Sequence, residues 1–240
     1  MRNPNRFDFK CFSVNQSRSV MKVCTDSCVF GALADIEQST RILDIGTGTG
    51  LLSLMLAQKA QHEVHIDAID LDAETLHDAI ENIDASPWNT CIEVHHENVM
   101  HWNNEAVYDM IICNPPFHVR STTSKHREEA IAFHSDLALP FDELIRVLHK
   151  KSHETTSSWI LLPFKEMTTF ISLAQSSGLF VKKSIIVRDT IKSDPIRRIC
   201  VFSKQELGGF EEMHFAYREY VGGPFTQEFV EALSPFYLFL

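Results

Sequence analysis

The sequence predicts a doubly wound α/β fold with a mostly parallel sheet, because buried-strand patterns alternate with amphipathic helix patterns along most of the chain. The strand patterns cover residues 41–45, 64–70, 91–96, 107–113 and 159–163, and the helix patterns cover 51–59, 73–84, 136–150 and 165–176. Two late strand patterns, at 180–187 and 196–202, have no clear helix pattern between them. We therefore expect the sheet to have an antiparallel end.

Residues 1–40 are predicted to form a small extension that packs on a core domain of residues 41–240. Apolar and polar residues alternate over positions 7–14, which predicts a strand. We expect this strand to pair as a hairpin with residues 21–24.

Two short helices are predicted near the ends of the chain. Thr25 and Asp26 belong to an N-cap pattern that precedes a helix at 28–36. The sequence leaves open whether these two side chains cap the helix or hold a ligand. Near the other end, Thr226 is the predicted N-cap of a helix at 228–233.

The loop Asn114-Pro115-Pro116-Phe117 follows the predicted strand 107–113 directly. Prolines cannot donate to a strand ladder, so the strand ends here, at the edge where open α/β sheets keep their sites. The Asn114 amide oxygen and the Pro115 carbonyl can each accept one N–H of a planar NH2 group, which frees the nitrogen lone pair for attack. Phe117 offers a face for a flat ring. The motif predicts transfer to an amino nitrogen, although alone it equally fits a loop whose Phe packs in the core.

A glycine-rich turn, DIGTGTG, joins the predicted strand 41–45 to the helix that follows. Gly46, Gly48 and Gly50 lack Cβ atoms, so a ligand can lie against the backbone. The spacing is GxGxG and not the GxGxxG of dinucleotide sites. Asp44 argues against a pyrophosphate ligand, because its carboxylate would then lie beside an anion. It suits a ligand with a positive ammonium group instead. S-adenosyl-L-methionine has such a group, a sulfonium cation and no phosphate, although a plain strand–helix turn would have the same glycines.

Polar residues at the ends of the next two strands extend the predicted cofactor site. Asp70 ends the strand at 64–70, where a carboxylate can accept from both ribose hydroxyls. Asp72 is the predicted N-cap of the next helix. Glu97 and Asn98 follow the third strand and are placed to meet the adenine of the cofactor.

Composition excludes several classes of protein. The 240 residues are 44% hydrophobic and 22% charged, which is typical of a globular domain. There is no run of about 18 apolar residues and no signal-peptide pattern, so we expect a cytoplasmic protein without a membrane span. The six cysteines form no CxxC pair and the twelve histidines show no ligand spacing, so we expect reduced thiols and no metal.

The net charge of −10 argues against a protein coated in nucleic acid, yet basic residues cluster in three stretches of the chain. These stretches flank the predicted site in sequence, so we expect a rim that contacts phosphate. Its predicted members are Lys22, Arg120, Lys192 and Arg197. Each stretch by itself is equally explained as a solvated face.

The order and spacing of DIGTGTG, the strand ending at Asp70 and NPPF resemble class I S-adenosylmethionine-dependent methyltransferases of the amino-nitrogen type. Further motifs resemble the bacterial tRNA1(Val) adenine-N6 methyltransferases, which methylate the adenine beside the anticodon. These motifs are FKxFxV from Phe9, MKVxTD from Met21, Asn82 with SPW from Ser86, FTxEF from Phe225 and FYL from Phe236. The resemblance spans nearly the whole chain.

The resemblance implies a Rossmann-like, seven-stranded domain that binds S-adenosyl-L-methionine and methylates N6 of an anticodon-loop adenine in valine tRNA. It implies recognition of the anticodon stem-loop. We expect a monomer, although the sequence does not determine the oligomeric state. The family's cofactor residues correspond to Asp44, Gly46, Gly48, Gly50, Asp70 and Asn98, and its catalytic residues to Asn114, Pro115, Pro116 and Phe117. Three positions depart from the family pattern, where Ser27 replaces a glycine, Asn98 an aspartate and Phe239 a lysine.

The predicted reaction needs no strong general base. A flipped adenine stacks on Phe117, and its N6 attacks the sulfonium methyl in line while Asn114 and Pro115 hold the amine. Methylation of a protein glutamine at N5 is one alternative, but such enzymes usually have Asn-Pro-Pro-Tyr and a longer helical domain before the glycine turn. Ribosomal RNA methylation, a non-catalytic cofactor-binding subunit and a nicotinamide oxidoreductase are the others.

Overall fold

The computed structural model describes residues 3–19, 21–115, 139–206 and 208–240. The strands are β1 Arg6–Asp8, β2 Ser13–Asn15, β3 Arg41–Ile45, β4 His65–Asp70, β5 Ile92–His96, β6 Tyr108–Cys113, β7 Ser152–Pro163, β8 Phe180–Thr190, β9 Pro195–Ser203 and β10 Glu211–Arg218. The helices are α1 Thr25–Leu33, α2 Leu51–Lys59, α3 Ala73–Asp84, α4 Phe141–Lys151, α5 Phe164–Ser176 and α6 Gln227–Leu233. None of these helices has the length and apolarity that a membrane crossing requires.

The central sheet has the strand order β10-β8-β9-β7-β6-β3-β4-β5. Strand β9 runs antiparallel to both of its neighbours, and the other described ladders of this sheet are parallel. The predicted doubly wound, mostly parallel α/β class with an antiparallel end is therefore confirmed.

The predicted number of seven strands is wrong, because the described residues form an eight-stranded sheet. The additional strand is β10, which pairs in parallel with β8 and lies at the edge of the sheet. Its first four residues are exposed, and only its second half contributes buried aromatic side chains. An edge strand with so little apolar alternation is difficult to distinguish from a loop by its sequence.

Strand β6 is buried on both faces of the sheet and leads directly to the candidate site. Met110 and Ile112 belong to one apolar core, which α1, α2 and α3 also line. Ile111 and Cys113 belong to the second core, together with residues of α4 and α5. Packing on both faces of β6 fixes the position of Asn114, which follows the strand directly.

The predicted pairing of the N-terminal hairpin is wrong. Strands β1 and β2 pair with each other, with Phe7 opposite Val14, and residues 21–24 lie outside the strands. The reason is a turn between them in which the rings of Phe9 and Phe12 stack with centroids 4.5 Å apart. Both rings pack in the same core as α1 and α2. The predicted domain boundary at residue 40 stays a prediction.

Helix α1 begins at Thr25 and not at residue 28, and it ends at Leu33. The residue in the N-cap position is Cys24, and no side chain of the described residues caps the helix. Two other predicted caps are confirmed, since Asp72 accepts from the backbone N–H of Glu74 and Thr226 from that of Phe229. Helix α4 begins at Phe141, and its predicted first residue, Asp136, lies outside the described residues.

Candidate active site

The carboxyl ends of three adjacent strands meet at one edge of the sheet. Ile45 of β3 pairs with Ile69 of β4 on one side and with Cys113 of β6 on the other. The next residues along these strands are Gly46, Asp70 and Asn114. Because paired strands lie about 4.8 Å apart, Gly46, Asp70 and Asn114 are neighbours at this edge of the sheet.

The three glycines of the turn have different surroundings, although all have left-handed φ angles of 71°, 58° and 80°. Among the described residues, a Cβ atom on Gly46 would meet no atom within 4 Å, and one on Gly48 would meet only Thr75 Cγ2 at 3.9 Å. A Cβ on Gly50 would lie 3.3 Å from Ile83 Cδ1 of α3. Gly46 and Gly48 thus leave open space beside the backbone, whereas Gly50 allows the turn to pack against α3.

Asp44 is fully buried at the end of β3. Its Oδ2 accepts hydrogen bonds from the hydroxyls of Thr47 and Ser53, both at 2.7 Å. Its Oδ1 is buried and has no hydrogen-bond partner among the described residues. Burial raises the pKa of Asp44 to about 6, and the nearby Asp70 carboxylate also raises it. A buried acceptor of this kind fits a cationic ligand.

Asp70 is held in place by two backbone N–H groups. Its Oδ2 accepts from Gly48 N at 2.8 Å, and its Oδ1 accepts from Asp72 N at 3.0 Å. Burial raises the pKa of Asp70, while these hydrogen bonds oppose the rise. Within the described part of the chain, neither Asp70 nor Asp44 forms a salt bridge.

Asn98 lies beyond the end of β5, as predicted, but its amide oxygen already has a partner. Asn98 Oδ1 accepts from Met100 N at 3.0 Å and so stabilises a turn. The preceding residue, Glu97, donates its backbone N–H to the carbonyl of Asp70 at 3.1 Å. The turn is therefore hydrogen-bonded to the end of β4. One lone pair of Asn98 Oδ1, the predicted acceptor for the adenine, is used within this turn.

Asn114 has a defined orientation at the end of β6. Its Nδ2 donates to the Ser27 hydroxyl oxygen in α1 at 3.1 Å. Its Oδ1 is buried and, within residues 3–19, 21–115, 139–206 and 208–240, has no hydrogen-bond partner. Pro115 is buried beside it. The other predicted members of the loop, Pro116 and Phe117, lie outside the described residues, as does Arg120.

The predicted phosphate contacts have different environments. Arg197 of β9 donates from Nε to Asp26 of α1 at 2.6 Å, so this guanidinium takes part in an ion pair. Asp26 also accepts from the Tyr217 hydroxyl at 2.7 Å. Asp26 thus joins α1 to the sheet and does not cap the helix.

Two lysines of the predicted rim are exposed. Lys22 donates from Nζ to the backbone carbonyl of Gln16 and so stabilises its own loop. Lys192 lies in the turn between β8 and β9. Because β8 runs in the same direction as β6, this turn and Asn114 lie at the same edge of the sheet.

Sequence reasoning did not assign a structural task to two buried polar residues of α3. Asn82 Nδ2 donates to the carbonyl of Thr49 in the glycine turn at 2.9 Å and to that of Asn15 at 2.8 Å. One helical turn earlier, the buried Asp78 accepts from the backbone N–H of Ser19 at 2.9 Å. Asp78 and Asn82 at i, i+4 on a mostly apolar face were the available signal. They join the N-terminal residues to the glycine turn.

A separate polar cluster lies near the opposite ends of β4 and β5. His65, Asp67 and Glu93 place potential metal-ligand atoms within 4.8 Å of one another. One oxygen of the Asp67 carboxylate already lies 2.7 Å from His95 Nε2, within hydrogen-bond distance. The other accepts from the Tyr108 hydroxyl at 2.8 Å. The expected absence of a metal stays a prediction.

Comparison with known proteins gives a consistent result. Residues 25–166 match the methyltransferase small domain family. The chain is 38% identical over 236 residues to the tRNA1(Val) (adenine(37)-N6)-methyltransferase of Cytophaga hutchinsonii, covering 97% of each chain. It is 35% identical over 235 residues to the enzyme of the same name from Flavobacterium psychrophilum, covering 97% of this chain and 99% of the relative.

Solved structures share the fold at low sequence identity. A predicted O-methyltransferase from Agrobacterium tumefaciens superposes with a TM-score of 0.65 and 16% identity, covering 88% of this chain and 96% of the other. A ribosomal protein L11 methylase from Lactobacillus delbrueckii gives a TM-score of 0.56 and 13% identity, covering 80% and 84% of the two chains. These likenesses concern the fold alone.

Proposed function

The chain belongs to the family of tRNA1(Val) (adenine(37)-N6)-methyltransferases, and we propose that it transfers a methyl group from S-adenosyl-L-methionine to N6 of an anticodon-loop adenine in valine tRNA. One observation carries the proposal for the site. The Asn114 amide oxygen is buried and has no hydrogen-bond partner among the described residues, and Asn114 follows the strand that pairs with the strand before the glycine turn. An acceptor in that state fits an N–H donor that arrives with the substrate.

The residues at this edge of the sheet fit S-adenosyl-L-methionine. When bound, this cofactor supplies an electrophilic methyl group on a sulfonium cation. Asp44 offers a buried carboxylate oxygen for its ammonium group, and Asp70 offers its remaining lone pairs for the ribose hydroxyls. Gly46 and Gly48 leave the backbone open to a ligand, while Asn98 stays the proposed neighbour of the adenine.

The amine of the target base is positioned by the loop after β6. Asn114 Oδ1 and the Pro115 carbonyl each accept one N–H, which turns the N6 lone pair out of conjugation and toward the methyl group. We assign stacking of the base to Phe117 and rigidity of the loop to Pro116. The methylated amine loses its proton readily, so orientation and electrostatics provide most of the rate enhancement.

The tRNA is proposed to lie along the carboxyl edge of the sheet. Lys192 is exposed at this edge, and we assign it, with Lys22 and Arg120, to phosphate contacts. Arg197 stabilises the position of α1 through its ion pair with Asp26, in addition to any contact that it makes with phosphate. We place the protein in the cytoplasm as a monomer, with residues 41–240 as the methyltransferase domain. The relatives' names favour a tRNA adenine over a protein glutamine or ribosomal RNA.

Nucleoside mass spectrometry tests the proposal directly. Purified protein would be incubated with isotope-labelled cofactor and transcripts of valine tRNA, either unchanged or with guanine in place of adenine 37. We expect labelled N6-methyladenosine only in the unchanged transcript. Label in another nucleoside, or equal label in both transcripts, would contradict the assignment.

A further inference from the structure

We propose that Ser27 is a positioning residue that orients the Asn114 amide so that its oxygen faces the substrate amine. This inference rests on the proposed function, since it concerns the same amide. A side-chain amide can present either two N–H donors or a carbonyl acceptor after a half-turn about its last torsion. Only the acceptor suits an incoming NH2 group, so the orientation of Asn114 decides whether the site is productive.

The structure has Asn114 in the acceptor-outward orientation. Its Nδ2 donates to Ser27 Oγ at 3.1 Å, which leaves Oδ1 as the unpartnered atom in the described part of the site. The reverse orientation would place the NH2 group toward the substrate amine, so that donors would face donors. The Ser27 hydroxyl lies 3.2 Å from Cys24 Sγ, which can receive the hydroxyl proton while the oxygen accepts from Asn114.

Ser27 can perform this task because its helix is fixed. The next residues of α1, Cys28, Val29 and Phe30, are almost completely buried in the core. The preceding residue, Asp26, is bonded to Arg197 of β9. A serine on a helix held from both sides keeps its hydroxyl at one place beside β6.

Ser27 takes no part in the described hydrogen bonds of the proposed cofactor residues Asp44 and Asp70. The carboxylate of Asp44 is bonded to Thr47 and Ser53, and that of Asp70 to backbone N–H groups. Loss of the Ser27 hydroxyl should therefore reduce the rate of methyl transfer and leave cofactor affinity unchanged. A merely structural role would reduce both together.

The test compares Ser27→Ala and Ser27→Thr with Ser172→Ala, which removes an exposed helical hydroxyl from α5. Turnover would be measured on tRNA, and cofactor binding by calorimetry. We expect Ser27→Ala to lower kcat about tenfold, with the Kd of the cofactor changed less than about twofold, because misplaced reacting groups cost rate more than binding. Ser27→Thr should restore most of the rate, and Ser172→Ala should behave like the unchanged protein.

A second pair of variants isolates the orientation itself. Asn114→Asp presents an acceptor oxygen whichever way the side chain is turned. In that background, Ser27→Ala should lower the remaining rate less than about twofold, so the two changes should be non-additive. Full kcat in Ser27→Ala, or equal losses in both backgrounds, would overturn the inference. If the unchanged protein methylates no tRNA adenine, the proposed function fails instead, so the two failures are distinguishable.

Discussion

Asp26 in the first turn of α1 accepts a 2.6 Å hydrogen bond from Arg197 Nε of β9, and its second oxygen accepts from Tyr217 of β10 at 2.7 Å. These residues are 171 and 191 positions away from Asp26 in the sequence. One carboxylate thus joins the helix that carries Ser27 to two strands of the sheet. Stability and site geometry are therefore coupled at this residue.

Replacing Asp26 by alanine should destabilise the protein. The Tyr217 hydroxyl, which is part of a buried side chain, would lose its acceptor, and Arg197 would lose this ion pair. We expect the free energy of unfolding to fall by about 1–3 kcal/mol, measured by urea denaturation. Asp26→Asn keeps an acceptor oxygen and is the matched control, for which a smaller loss is expected. Equal stability of Asp26→Ala and the unchanged protein would show that the link carries no net free energy.

Cofactor affinity should depend on pH through Asp44. Burial raises the pKa of this carboxyl to about 6, so part of the population is protonated near that pH. A bound cation favours the ionised form and releases the proton. We therefore expect the affinity for S-adenosyl-L-methionine to increase roughly tenfold from pH 5 to pH 7, as measured by calorimetry.

The variant Asp44→Asn separates this effect from other titrations. It keeps an oxygen for the Thr47 and Ser53 hydroxyls and removes the charge. Binding should be weaker and nearly independent of pH around 6. A pH dependence equal to that of the unchanged protein would assign the proton to another group.

The same carboxyl should also affect the stability of the ligand-free protein. Its pKa is raised from 3.8 in the unfolded chain to about 6 in the fold, so the folded state binds the proton more tightly. The contribution to stability is complete below pH 4 and is lost as the pH rises through 6. Asp44→Asn should therefore be more stable than the unchanged protein at pH 7, by about 3 kcal/mol in urea denaturation.

Alanine at two glycines of the turn should have different effects. Both residues have positive φ angles, 71° at Gly46 and 80° at Gly50, so each change introduces backbone strain of about 1–2 kcal/mol. A Cβ on Gly50 also lies 3.3 Å from Ile83 Cδ1, whereas one on Gly46 meets no atom within 4 Å. Gly50→Ala should have the lower Tm, and Gly46→Ala should lose more cofactor affinity. The opposite ranking in affinity would mean that the open side of the turn is not the ligand side. The opposite ranking in Tm would mean that the contact with Ile83 does not decide the stability of the turn.

An exposed lysine at the same edge as Asn114 should contribute to tRNA binding. Lys192→Ala should weaken tRNA affinity and lower the slope of log K against log salt by about 1, as for loss of one phosphate contact. Lys150→Ala is the control, because this exposed lysine lies at the end of α4, near the start of β7 and so at the opposite edge. Equal effects of the two changes would indicate only a general contribution of positive charge.

The sequence predicted the part of the fold that surrounds the glycine turn. The bounds of β3, α2 and α3 agree with the structure because each element is a strong apolar pattern with a clear boundary. The turn glycines bound the first two elements, and Asp72 caps the third.

Features that depend on distant contacts were not predicted. Ser27 and Asn114 are 87 positions apart, and their hydrogen bond exists only because α1 lies beside the end of β6. The hairpin pairing was wrong because Phe9 and Phe12 turn into the core and interrupt the strand pattern. Local patterns in one sequence do not contain such tertiary information.

The central claim is that the Asn114 amide oxygen holds the amine that accepts the methyl group. The most direct measurement is the single-turnover rate of methyl transfer to tRNA by Asn114→Ala, with cofactor affinity measured in parallel. We predict a rate about 100-fold or more below that of the unchanged protein, in the range found when one catalytic hydrogen-bonding group is removed, with cofactor affinity within about twofold. A rate within about threefold of the unchanged protein would contradict the claim.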